Sequence, residues 1–160
     1  MNAASVKELK EELKMRSHKE LLEYCLRLSK FKKENKELLT YLLFEAENED
    51  AFVKSVKEES DEWFEEIIKT TNPRSYYILK KKTRKVLMHI KKHIRFTTSK
   101  ETEAELLIHF CKKVKELKLT NKSHVIERMY LREIANVKKL VSNMHEDLQH
   151  DFNIILGKLN

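Results

Sequence analysis

Two histidines four residues apart, His89 and His93, lie on a segment whose apolar residues recur at helical spacing. That separation lets two imidazoles converge on one divalent metal. The setting opposes it. Lys85, Lys91, Lys92 and Arg95 surround the pair, and no Asp or Glu occurs between Thr70 and Thr98, so an arriving cation meets a positive field. The pair therefore reads as histidines at the edge of a basic face. A second candidate, His145 to His150 (HEDLQH), invites comparison with the zinc-protease pattern His-Glu-x-x-His, but its histidines are five apart. Five residues turn the second ring about 140° round a helix from the first. Glu146 with His150 and Asp147 with Asp151 then make a polar helix face. No histidine has Glu three residues before it, so the paired Glu-x-x-His ligands of a di-iron bundle are missing as well. No metal ligand set is assigned from the sequence.

Nucleophilic chemistry has little to work with. Cys111 follows Phe110 and shares a stripe with Leu107 and Val114, the position of a core thiol, whereas a reactive one needs an electropositive and partly exposed setting. His109, two residues away, points elsewhere on a helix. Cys25 also lies in an apolar pattern, and two cysteines make neither a disulfide framework nor a metal knuckle. The chain has one glycine, Gly157, and one proline, Pro73. Walker and Rossmann phosphate loops each need several glycines close together and are excluded. No catalytic or cofactor-binding residue is assigned, and no cofactor is expected.

The charge is less easily dismissed. Arg74, Lys80, Lys81, Lys82, Arg84, Lys85, Lys91, Lys92 and Arg95 give the stretch from Thr70 to Thr98 a charge of +9, against +7 for the whole chain. At 100° per residue these cations spread round roughly 200° of a helix, while Leu79, Thr83, Val86, Leu87, Ile90 and Ile94 take the opposite arc. One face docks and the other is a candidate polyanion-binding strip. Tyr76, Tyr77 and Phe96 flank it as candidate stacking platforms for single-stranded bases. An internal partner also exists: Glu45 to Glu66 holds ten acids against Lys54 and Lys57, a net −8. If these two segments form an antiparallel hairpin, their charges meet at the flanks of the contact, and one neighbour cannot shield the whole strip.

The elements that position these residues are helices, because the scarcity of glycine and proline leaves few places for turns. Ser5 with Glu8, Ser17 with Glu20, and Thr98 with Glu101 have the spacing of capping boxes. Asn72-Pro73 marks another start, and Gly157 is placed for a left-handed helix end. Between these signals run the stripes Val6, Leu9, Leu13; Leu21, Cys25, Leu28; Leu38, Leu39, Leu42, Leu43; Phe52, Val56, Ser60, Trp63, Ile67; and Leu107, Cys111, Val114, Leu117. The seam Tyr130, Ile134, Val137, Val141, Met144, Leu148, Phe152, Ile155 predicts one helix from Ser123 to Leu156, a rod of roughly 50 Å. The expected fold is all-α: a single domain over 1–160 of six or seven helices, a bundle or irregular array, with a long C-terminal helix. Its 41% apolar and 37% charged residues suit amphipathic helices with broad solvated faces. The longest near-apolar stretch, Leu38 to Phe44, is far short of the roughly 20 residues of a membrane span. Lys7, Glu8, Lys10, Glu11, Glu12 and Lys14 stand where a signal segment would be apolar, so a cytoplasmic location is expected.

The run Leu21 to Asp50, LLEYCLRLSKFKKENKELLTYLLFEAENED, together with SYYILKKKTRKVL, ETEAELLIHFC and HEDLQHDF, resembles an uncharacterised family of small all-helical cytosolic proteins from Bacteroidetes-type bacteria. The resemblance implies a bacterial cytosolic helical protein and carries over no active site. VKELKEELKMR is also similar to the first helix of a SAP-type DNA-binding helix-loop-helix. Only Ser17 and its neighbours follow it, however, in place of that module's longer glycine-containing loop. The expectation is a non-enzymatic helical binding or scaffold protein that meets a protein partner or a second copy of itself through helical faces. The alternative is a nucleic-acid-binding protein using the basic face around residues 74–95.

Overall fold

Local capping opens the chain as its spacing predicts. Ser5 and Ser17 each accept the backbone N–H three residues on, and Glu8 and Glu20 reach back to the serine N–H groups, which starts α1 (Val6–Lys14) and α2 (His18–Phe31). The computed structural model describes residues 2–72 and 75–159. Lys32, in extended conformation, separates α2 from α3 (Lys33–Thr40), and Asn35 Nδ2 spans the joint to the Leu28 carbonyl oxygen at 2.9 Å. A π-helical turn, Tyr41–Glu45, follows. The backbone clusters into two compact units, Met1–Glu45 and Ala46–Asn160.

In the first unit α2 packs against α3, yet no side chain of α1, α2 or α3 is buried. The leucine stripes expected to be core are open or half-open, with Leu9, Leu13 and Leu28 exposed and Leu42 and Leu43 exposed on the π turn. Cys25, read as set among apolar neighbours, is exposed.

The second unit has the core. It comprises α4 (Glu49–Thr70), α5 (Tyr76–Ile94), α6 (Lys100–Glu116), a 3-10 turn (Thr120–Lys122), α7 (His124–Val141) and α8 (Glu146–Gly157). α6 is the central helix. It packs on α4, α5 and α7, and buries Thr102, Ala104, Leu106, Leu107, Ile108, Phe110, Cys111 and Val114, positions that span about 240° of its circumference. Phe110 meets Phe64 of α4 with ring centroids 5.9 Å apart. Each such fully buried apolar side chain contributes roughly 1.5–3 kcal/mol. α4 and α5 pack as a hairpin whose acidic and basic flanks pair, as between Lys82 and Glu66, 3.8 Å apart.

Several expectations need correction. There are eight α-helices among the described residues, where six or seven were expected, and no strand. The long C-terminal rod is broken between Val141 and Glu146. The Ser142 hydroxyl and the Asn143 amide both bond the Lys139 carbonyl oxygen, at 2.9 and 2.8 Å, competing with the helix ladder, and His145 then caps α8. The seam survives the break, since Tyr130, Ile134, Val137, Val141 and Phe152 are buried and Met144, Leu148 and Ile155 half-buried. α6 is capped by Ser99, one residue beyond Thr98. α5 starts after Ser75 and not at Asn72, while Pro73 lies outside the described residues. Gly157 lies within α8 and not at a left-handed end. The left-handed residue is Lys118 (φ 52°), after which Leu119 N–H reaches the Val114 carbonyl oxygen at 3.0 Å. That is a Schellman ending with Leu119 buried as its apolar plug. No described helix is long and apolar enough to cross a membrane.

Candidate anion-binding cleft

The basic strip on α5 divides by environment. Lys82 Nζ bonds Thr70 Oγ1 at 2.6 Å beside Glu66, Lys80 sits over the Tyr77 ring at 5.3 Å, and Lys85 over the Trp63 ring at 4.8 Å. Lys91 bonds Glu133 at 2.8 Å. Lys81 and Arg84 are exposed and have no ion pair among the described residues. Arg74 lies outside the described residues. Of the aromatic candidates, Tyr76 and Tyr77 are exposed, but Phe96 is buried and packs against His93, which makes it core edge.

Towards its C-terminal end this strip becomes the wall of a pocket of about 840 Å³ between α5, α6 and α7. Lys91, Lys92 and Arg95 of α5, Lys100 of α6 and Lys139 of α7 line it against the carboxylates Glu103 and Glu133, an excess of three positive charges. Its apolar lining comes from Met88, Ile94, Leu107 and Leu140. The volume is that of a small-molecule site.

Glu133 forms the pocket's fixed polar point. It is fully buried, and its carboxylate accepts hydrogen bonds from Lys91 Nζ at 2.8 Å, Arg132 Nε at 2.9 Å and Asn136 Nδ2 at 2.9 Å. Burial favours the neutral acid, but the bonds from Lys91, Asn136 and Arg132 outweigh it and hold the group below the usual carboxylate range. The charge of Lys91 is thereby committed to Glu133 and that of Lys100 to Glu103 at 2.9 Å, and Lys92, Arg95 and Lys139 complete the cationic lining. Sequence reading passed over Glu133. Its signal was nevertheless present: an acid on the apolar seam, three residues after Tyr130 and four before Val137.

The remaining sequence candidates take structural places. Cys111 is fully buried, and burial together with the charge of Glu133 pushes its thiol up to about 12. His109 is turned to α4, where Nε2 meets Asp61 at 2.8 Å and Lys113 approaches the same carboxylate at 3.1 Å. Burial lowers its affinity for a proton in spite of Asp61. His145 and His150 are exposed, the former as the cap of α8. No family model, no curated protein and no solved structure matches this chain. What the cleft can do must be argued from its own residues.

Proposed function

We propose that this chain is a non-enzymatic, cytoplasmic helical binding protein whose ligand is an anion with an apolar body, held in the cleft between α5, α6 and α7. The observation that carries this reading is the lining of the pocket, in which five cations and two carboxylates surround a floor built from Met88, Ile94, Leu107 and Leu140. Cations at the rim fix an anionic head, and the apolar floor takes the remainder. The non-enzymatic part rests on the state of the reactive groups. Cys111 is sealed in the core, and Glu133 has its oxygens occupied by three donors. The test is thermal stabilisation by a short alkyl phosphate compared with the alcohol of the same chain length. The phosphate at 100 times its dissociation constant should stabilise the protein by about 2.7 kcal/mol. Replacing both Arg95 and Lys139 by Glu should abolish the effect, and equal stabilisation by the alcohol would reject the reading.

A second reading is favoured by Lys81 and Arg84, which extend the same positive face away from the pocket and lack ion pairs among the described residues. A polyanion such as single-stranded nucleic acid laid along Tyr77, Lys81, Arg84 and Lys85 would use them. Its affinity should fall steeply between roughly 50 and 200 mM salt, and collapse with Lys81 and Arg84 changed to Glu. No binding to single-stranded RNA or DNA at the lower salt would remove it.

A further inference from the structure

We propose that Glu59, His89 and His93 form a three-ligand site for Zn2+, open at its fourth position, where α4 packs against α5. One donor atom from each of the three lies within 4.8 Å of the other two. Glu59 Oε2 and His89 Nε2 are 3.2 Å apart. Two atoms each about 2.0–2.1 Å from a tetrahedral zinc stand about 3.3–3.4 Å from one another, so this edge already has the length the ion requires. The His93 donor atom lies within 4.8 Å of the other two and closes on the ion when it binds.

The groups that hold the two imidazoles support the same site. His93 Nδ1 is 3.0 Å from the His89 carbonyl oxygen, so Nδ1–H donates there and the Nε2 lone pair is left for a metal. A ligating histidine is ordinarily held this way, through its other ring nitrogen. The His89 and His93 rings are 4.4 Å apart, and the site is walled by aromatics: Trp63 is 4.4 Å from His89, and Phe52 and Phe96 are 6.0 and 5.4 Å from His93. Access comes from one side, because the His89 side chain is 5% exposed and that of Glu59 is 48% exposed. Two imidazoles and one carboxylate suit zinc, which has no d-electron preference and accepts an irregular three-point frame with water in the last position.

The objection raised by the sequence was electrostatic, and the fold answers it. The stretch around His89 and His93 has no acid of its own, but α4 brings Glu59 across the hairpin from a segment of net charge −8. Nearby cations are also partly engaged, with Lys85 over Trp63 and Lys82 against Glu66 and Thr70.

The experiment uses the full chain, stripped with chelator and freed of any histidine tag, titrated with Zn2+ by calorimetry and with Co2+ by visible absorption at neutral pH. One equivalent should bind, with the intense d–d bands of four-coordinate cobalt. His93→Ala and Glu59→Gln should each weaken binding by more than the roughly 10–100-fold that loss of an outer-shell partner costs. Both replace side chains that are not buried, and helicity is checked for each, so misfolding of one leaves the other to decide. His145→Ala should bind as the parent does. Absence of saturable binding, or affinity unchanged in both site variants, would overturn the site and leave Glu59 and His89 as an ion pair.

Discussion

The two units of this protein make helices by different means. In Met1–Glu45 the local code is strong and burial is slight: α1 and α2 have complete capping boxes and none of their side chains is buried, and Tyr41 on the π turn is the one described residue of the unit that is. In Ala46–Asn160 the caps are simpler, and α5 has no side-chain cap at all, yet α4 to α7 surround a dense core. Isolated helices of nine to fourteen residues are marginal in water, and most helical stability in proteins comes from packing an apolar face. The contrast teaches that capping and periodicity state where a helix begins and which face is apolar. They do not state that anything covers that face. Val6, Leu9, Leu13, Leu28 and Phe31 are left as exposed apolar side chains.

The largest effect expected is a difference between two phenylalanines. Phe110→Ala, at a fully buried position of α6, should cost about 3–5 kcal/mol, whereas Phe31→Ala, at 77% exposure in α2, should stay within about 0.5 kcal/mol by denaturant titration. Equal costs would mean that the first unit has a hidden core and would break the comparison.

Acid should separate the units in sequence. His109 has a folded pKa below its ordinary value because burial disfavours its charge, so the unfolded chain takes up the proton first and stability falls as pH drops below about 6.5. That loss belongs to the second unit and should vanish in His109→Gln. Glu8, Glu20 and Glu133 are shifted the opposite way. Hydrogen bonds from Ser5 and from Ser17 lower the first two; for Glu133, burial is overcome by Lys91, Asn136 and Arg132. Their contributions are present above pH 4.5 and are lost as pH falls through the lowered values. Amide exchange followed down the pH scale should therefore show α6 and α4 loosening first, and α1 and α2 joining below pH 4.5.

Cap removal should be smaller and local. Ser5→Ala and Ser17→Ala should each cost about 1 kcal/mol of helix stability in α1 and α2, read as lost amide protection there with the transition of the second unit unmoved. Smallest of all, Lys118→Gly should raise stability by about 0.5–1 kcal/mol, as relief of the left-handed strain exceeds the entropy that glycine forfeits.

How much of this was legible varies with the kind of signal. Ser5, Ser17 and the stripes through Phe52, Leu79 and Leu107 act within one or two turns, and each stripe lies on a helix, although α5 starts at Tyr76 and not at Asn72 and α6 is capped by Ser99 and not Thr98. The rod beyond Val141 did not, because an uninterrupted apolar seam outweighed Ser142 and Asn143, whose side chains both bond the Lys139 carbonyl oxygen in competition with the ladder. The exposed leucines of the first unit misled for a related reason, since a stripe encodes a face without its cover. At the sites, the α5 cations were legible as a run, but the pocket depends on Lys100 and Lys139 arriving from α6 and α7. Glu59 lies thirty residues before His89, and only the pairing of α4 with α5 brings them together.

The central place of α6 also sets an order of events during synthesis. Phe64 leaves the ribosome 46 residues before Phe110, the ring it packs against. At 5–20 residues per second that interval lasts on the order of 2–9 s. The α4–α5 hairpin is complete only when Ile94 has been made, 16 residues before Phe110, so for about the last 1–3 s of that interval the nascent chain holds the apolar faces of α4 and α5 without α6, which packs on both. Chaperone capture, rare-codon pausing and truncation would all act on this protein most strongly between those two rings.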